Sequence, residues 1–430
     1  MSHYTVHEWG QLKIGGGGGE IALSHGEALH AAACAHPSAH EDGTNILVRR
    51  HDRLVARQMV GMISAPGCSL EILPKVDPEG RPEDEHQVRR RLVRMLDIAL
   101  GLDISLSSTA DMARQNVTLL DILIRAFGDK LLAEVRRGLP RRYQQCEDDL
   151  PCLRGRLDVV RQFTVNAVRP DRLACRFDQL DANTPLMQIM AATVNYLSKH
   201  VHRHDTERIF TELRHSLADI TPMSAQRLPW SEVRIDRSNR RWESLCALAK
   251  LLIRRDWQAT HHTNAAPQGL TLLFPMNDLF EEYIAALLRR GLVGSDIQVT
   301  TQGGLRHCLG DFVAGERLEK ATLFQTRPDI ILRRGTHIVQ IIDTKWKKLS
   351  LDTQARKHGV SQADVYQLMA YARIYESGNL MLLYPEAPGQ ICGLRKDFGI
   401  AQGTERLRIA TIDISLDEAL LASRLKAICA

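Results

Sequence analysis

A chain of 430 residues with 44% hydrophobic and 25% charged content is ordinary for a soluble globular protein and long enough for two or three domains. Its net charge of +5 permits a polyanionic partner without demanding one. Nine scattered cysteines without C-x-x-C spacing argue against a disulfide framework or a thiolate zinc site, and with no secretory leader and no membrane-length apolar run the expected setting is the cytoplasm, with reduced thiols and no membrane contact.

The first 85 residues read as a β-rich domain. "YTVHEWGQLKI", "TNILVRR" and "SLEILPKV" are short strand-like runs separated by Gly, Ser and Pro. The pentaglycine at 15–19 reads as a hairpin tip, because no G-x-x-x-x-G-K-[ST] phosphate loop occurs in the chain. Nucleotide-driven work must therefore come from a partner. Histidines in "HAAACAHPSAH" and "HVHRHD" could suggest metal sites, and helical spacing would put His200 and His204 on one face, but neither H-E-x-x-H nor a thiolate pair accompanies them.

Residues 86–265 read as a mainly helical middle domain with a basic β-like segment. "QVRRRLVRMLDIALGL" places Val88, Leu92, Met95, Leu96 and Ala99 at helical spacing, and "VTLLDILIRAFGDKLLAEVRRGL" repeats the pattern. A long helix is predicted to begin at Thr184-Pro185, a cap followed by a first-turn proline. Between them lies the most arginine-dense stretch, with Arg154, Arg156, Arg161, Arg169, Arg172 and Arg176, which is either solvated charge or a contact with a partner or with phosphates.

After a polar linker, residues 266–430 run helix, strands, helix, strands, the succession of a mixed sheet flanked by helices. The whole chain is thus expected to be α+β. In "HIVQIIDTKW" both faces are apolar until the end, which marks a buried central strand. Two-residue periodicity sets Asp343 and Lys345 on one face, and antiparallel pairing through "RRGTH" would bring Asp329 opposite. Carboxylates are hard oxygen ligands for Mg²⁺, which polarises a phosphoryl oxygen and lowers the pKa of water, while a lysine neutralises developing charge. On "NDLFEEYIAALLRR" the apolar face leaves Glu281 at its edge and Glu282 toward solvent, so Glu281 is the candidate third acid. Gln367 and Tyr371 stand four apart on the next helix, either reaching the site or serving as a satisfied amide and a core tyrosine.

Asp329 in "RPDIIL" and Asp343-Thr344-Lys345 in "IIDTKWK" are similar to the motifs of the PD-(D/E)xK nuclease superfamily, and Gln367 with Tyr371 resembles the Q-x-x-x-Y element of some branches. More narrowly, "SQADVYQLMAY", "LLYP", "LRGRLDV" and "FDQLDANTPLMQIM" resemble the McrC family, the nuclease subunit of McrBC-type restriction systems, over most of residues 150–385. The resemblance implies a PD-(D/E)xK endonuclease domain at 266–430 with Asp329, Asp343, Lys345, Gln367 and Tyr371 in catalysis. It also implies Mg²⁺ on Asp329 and Asp343, with Glu281 assigned to the metal from its helix geometry alone. The substrate implied is double-stranded DNA carrying methylcytosine. The partner implied is a McrB-like AAA+ GTPase hexamer, which binds the GTP and takes the N-terminal region of such subunits into its pore, with the middle segment and Arg154, Arg156 and Arg161 expected at the ring. Two other readings stay open: a non-catalytic activator or scaffold of an AAA+ ring, and a self-sufficient restriction nuclease.

Overall fold

The computed structural model describes residues 2–429 except 16, 18, 19, 40–44, 76–83, 105–116, 170, 255–269, 303–305, 312–320, 350–358, 387–391 and 402. Most of the pentaglycine, most of the "DPEGRPEDEH" boundary and all of the 256–269 linker therefore lie outside the described residues. The compact units do not follow chain order: residues 1–119 and 257–430 form one, and 120–256 form the other.

In the first unit the alternating N-terminal runs become β1 (Ser2–His7) and β2 (Gln11–Lys13). Helix α1 (Leu23–Cys34) follows, buried along Gly26, Leu29 and Ala33, where the sequence reading saw only histidines. Its small, alanine-rich face gives little periodic signal. Then come β3 (Leu47–Arg50), β4 (Arg53–Ala56), β5 (Met59–Ala65) and β6 (Cys68–Leu73), with Leu29, Ile46, Leu54, Ile63 and Ile72 in one core. Helix α2 (Glu85–Leu100) begins at Asp84, whose carboxylate accepts the His86 N–H, and stops at left-handed Gly101. Arg89 on α2 grips the fully buried Glu71 through two bonds, of 2.9 and 2.5 Å.

The second unit contains α3 (Leu119–Arg137), β7 (Arg142–Leu150), β8 (Arg156–Leu157), α4 (Val159–Thr164) and β9 (Leu173–Asp181). It continues with α5 (Pro185–Leu197), α6 (His204–Ser216) and α7 (Glu243–Ala249). β7 and β9 pair antiparallel over their full length, from Arg142↔Asp181 to Leu150↔Leu173. Thr184 caps α5 and Pro185 opens it, as the sequence predicts. His200 and His204 do not share a helix: α5 ends at Leu197, and His204 starts α6 after a break at 201–203.

The chain returns to the first unit with β10 (Leu272–Pro275), which pairs antiparallel with β5, so the N-terminal sheet runs β1-β6-β5-β10. Helix α8 (Met276–Gly291) leaves β10 directly. There follow β11 (Ile297–Thr301), the small pair β12 (His307–Leu309) and β13 (Leu323–Gln325), β14 (Ile330–Arg334), β15 (His337–Thr344) and α9 (Gln362–Tyr375). The last elements are β16 (Asn379–Glu386), β17 (Gly393–Gly399), β18 (Arg406–Asp413) and α10 (Glu418–Cys429). The described strands make a mixed sheet ordered β11-β14-β15-β16-β18-β17, parallel in its centre and antiparallel at both sides. Helix α9 buries Leu368, Tyr371, Ala372 and Tyr375 in a core shared with Ile341, Leu380 and Leu382. No helix among the described residues is long and apolar enough to cross a membrane.

The β5–β10 joint depends on one glycine. Gly61, at φ +126°, faces Leu273 across the joint, and a Cβ there would stand 2.0 Å from the Leu272 carbonyl oxygen. Gly61→Ala is expected to cost more than about 2 kcal/mol, adding a backbone clash to the strain of that dihedral. Chemical denaturation should show a lowered midpoint, and an unchanged midpoint would mean that the joint is not as tight as described.

Candidate active site

The chemistry collects where β15 leaves the sheet. Its residues from Gln340 to Thr344 are buried, and its ladder with β14 runs Ile331↔Ile341 then Ile330↔Ile342. One further step brings Asp329 opposite Asp343. The backbone N–H of Thr344 donates to Asp329 Oδ2 at 2.8 Å and its hydroxyl does so at 3.0 Å, while the Gln302 N–H donates to the Asp329 carbonyl at 3.0 Å. On the other side of β15 the Lys345 N–H donates to the Leu383 carbonyl at 2.9 Å. So anchored, Lys345 places its Nζ 2.6 Å from Asp343 Oδ2. The expected convergence of Asp329, Asp343 and Lys345 is present in the structure.

Helix α8 adds acids from a separate element. Its seam of Leu279, Phe280, Tyr283, Ile284 and Leu287 is buried, and Glu281 is buried with it, only 7% exposed, deeper than the edge position the helical wheel predicts. Glu282 is half-buried. Burial, with the Asp329 charge beside it, pushes the Glu281 carboxyl up to about 8, against a hydrogen bond from Gln302 that favours the charged form. Asp278, one turn earlier, is raised by burial and then by Asp329. Asp343 is raised to about 6 by burial and by Asp329, with Lys345 pulling the other way. Burial also raises Asp329, opposed by the Thr344 N–H and Lys345. Burial works against the charge of Lys345, but Asp343, Asp329 and Asp364 outweigh it and hold the ammonium protonated.

Hard carboxylate oxygens are the donors a divalent cation such as Mg²⁺ takes. Asp343 Oδ1 and Glu281 Oε1 are buried and meet no hydrogen-bond donor among the described residues, so the donor set fits such an ion. As placed, no three His, Cys, Asp or Glu side chains among the described residues close around a single cation position. The acids therefore stand as a mutually repelling set rather than as a finished cage.

On α9, Gln367 Nε2 donates to Tyr371 Oη at 2.8 Å, so the two satisfy each other rather than both reaching outward. Gln367 is exposed and Tyr371 buried, with its phenol raised first by burial and then, after the opposing Gln367 bond, by the Asp343 and Asp329 charges. Tyr371 is thus in the field of the site. The sequence reading missed Asp364 on the same helix, which bonds Lys347 at 2.8 Å and lies 4.0 Å from Lys345. It also missed Gln302, which no motif marks, and Asp278, whose i−3 spacing from Glu281 was a usable signal. Within the second unit, Arg154 stacks over Phe177 at 4.1 Å, Arg161 bonds Asp149 at 3.0 Å, and Arg176 pairs with Asp158 at 2.5 Å, so those charges are engaged internally.

A family model described as McrBC 5-methylcytosine restriction system component matches residues 54–385. The chain is similar to one in the refined half-complex from a tetradecameric assembly of Thermococcus gammatolerans McrB AAA+ hexamers with bound McrC. The TM-score is 0.70 at 21% identity, covering 99% of this chain and 100% of that one. It is also similar to a chain in the cryo-EM structure of the Thermococcus gammatolerans McrBC complex, with a TM-score of 0.53 at 22% identity over 68% of this chain and 88% of that one. At such identities the likeness is one of fold. No curated protein matches the chain.

A carboxyl with a raised folded pKa binds its proton more tightly in the folded state. Its contribution to stability is complete below the unfolded value, 4.5 for Glu281, and is lost as pH rises through about 8. In chelator-containing buffer the melting temperature should therefore fall between pH 6 and 8, above the Asp343 range of about 6, and Glu281→Gln should flatten that fall. Identical slopes for the variant and the parent would place Glu281 outside the repelling set.

Proposed function

Because the chain belongs to the McrBC 5-methylcytosine restriction system component family, we propose that it is the Mg²⁺-dependent endonuclease subunit of such a system, cutting double-stranded methylcytosine-containing DNA in the cytoplasm. The observation that carries this reading is the convergence of half-buried Asp329 and Lys345 on the buried Asp343, with buried Glu281 brought in from α8. Asp329, Asp343 and Glu281 would hold the ion, which when bound supplies Lewis acidity to the scissile phosphoryl group and the attacking water. Lys345, kept protonated by its acidic neighbours, neutralises charge that develops on the phosphate oxygens. Tyr371, fixed by Gln367, lines the same site and orients water or phosphate.

The partner we propose is a McrB-like AAA+ GTPase hexamer, the kind of assembly from which the similar solved chains come. GTP would be bound by that partner and not by this chain, which has no phosphate-loop sequence. The β7–β9 segment is the docking surface the second unit offers. It exposes Val160, Phe163 and Val168, at 75%, 74% and 85%, a density of large apolar side chains suited to a protein partner. With Arg154 and Arg161 engaged internally, the apolar residues and Arg156 carry the contact in this reading. Phe163→Asp is expected to abolish stimulation of the partner's NTPase while leaving the melting temperature unchanged. Retained stimulation would remove this surface from the interface.

One observation favours a second reading, a non-catalytic activator of the ring: the described acids do not close around a single cation position. Asp343→Ala separates the two. A nuclease loses DNA cleavage by at least about 100-fold and keeps full stimulation of its partner's NTPase. An unchanged cleavage rate would transfer the activity elsewhere.

A further inference from the structure

Trp346 follows Lys345 directly, and three groups from distant parts of the chain hold it. Its indole N–H donates to Glu8 Oε2 at 2.9 Å, its backbone N–H donates to Asn277 Oδ1 at 3.3 Å, and its ring meets Phe280 edge-on at 5.4 Å between centroids. Asn277 and Phe280 belong to α8, the helix of Glu281. Glu8 comes from the end of β1. Its own N–H donates to the Leu73 carbonyl at 2.8 Å, and the next residue, Trp9, takes φ 63°, a left-handed conformation that a tryptophan adopts at a cost of about 1 kcal/mol or more.

The Glu8 carboxylate is 2% exposed. Oε2 also accepts the Lys75 N–H at 3.2 Å, while Oε1 meets no donor among the described residues. A buried carboxyl with a bare oxygen costs stability that an apolar residue of similar size would not. Packing alone does not account for it, whereas its bond to the residue beside Lys345 does. The same N-terminal sheet also holds α8 through β10, because β10 passes straight into that helix. One sheet thus holds both Trp346 and the helix of Glu281.

We infer that Glu8 is a positioning residue: through Trp346 it holds the segment carrying Lys345 against the acidic cluster, so the N-terminal sheet sets where the lysine ammonium stands. The consequence for cleavage rests on the nuclease reading, while the geometric claim does not.

Two measurements on the full chain test this. By hydrogen exchange, Glu8→Ala and Trp346→Phe should each speed exchange of the 344–347 amides about tenfold, the loss of one buried hydrogen bond, with β16 amides unchanged. Glu8→Gln keeps an oxygen for the indole proton and should match the parent. With methylated DNA, Mg²⁺, GTP and an AAA+ partner, Glu8→Ala and Trp346→Phe should each lower kcat about tenfold at unchanged KM and unchanged NTPase stimulation, and the double variant should lose no more than either alone. Unaltered exchange in both variants, or losses that add, would overturn the inference. A parent chain that cleaves no DNA would defeat the nuclease reading only, with the exchange data still deciding whether Glu8 holds the segment.

Discussion

Everything at the end of β15 follows from the cost of placing like charges together out of water. Asp329, Asp343 and Glu281 are each raised by burial, and Asp329 raises both of the others further. The half-buried Lys345 supplies a counter-charge at 2.6 Å from Asp343. One ammonium among several carboxylates leaves the cluster short of positive charge, and the shortage shows as protons held above their ordinary range. A divalent cation would remove it in a single step. The same imbalance explains why the cluster needs rigid support from several elements, since repelling groups on pliant backbone would move apart.

That support is assembled from non-adjacent sequence. β14 and β15 bring Asp329 and Asp343 together by register, and the parallel neighbour β16 fixes Lys345 through the Leu383 carbonyl. Helix α8 reaches the site only because β10 completes the N-terminal sheet, where Gly61 lets two backbones approach closely. The N-terminal residues are therefore part of the same compact unit as β14 and β15, while residues 120–256 form a unit of their own. A buried Glu71–Arg89 pair ties α2 to β6 in the first unit, with Arg89 donating twice, so that neither charge is left bare.

Where local pattern carries the information, the sequence is readable. The apolar run ending in Asp-Thr-Lys identifies a buried strand with a polar end where charged groups gather, and Thr184-Pro185 marks a helix start because cap and first-turn chemistry are local. The seam of α8 likewise follows from 3.6-residue spacing, although the wheel placed Glu281 at an edge and not in the core, since it cannot see what packs above it. Other features were not legible. Pairing of β10 with β5 links Leu272 to Met62 across more than 200 positions, and no local pattern encodes a partner so far away. Helix α1 hides in alanines and histidines of weak periodicity, and His200 and His204 looked helically spaced only because the break at 201–203 carries no proline or glycine. Glu8 and Gln302 act through tertiary contacts alone.

The physical case for catalysis over scaffolding rests on what the chain pays in stability. A scaffold that needs only a folded sheet gains by filling the end of β15 with apolar side chains, which would bury area and remove four raised carboxyls, counting Asp278. Here Asp343 and Glu281 are instead buried with bare oxygens, beside an Asp329 aligned by a backbone donor and a protonated lysine. The bare buried oxygens are unfavourable for folding, and the whole arrangement suits a cation beside a phosphate. Several raised carboxyls gathered at the end of one strand are what the proposed cation-binding role would require folding to tolerate.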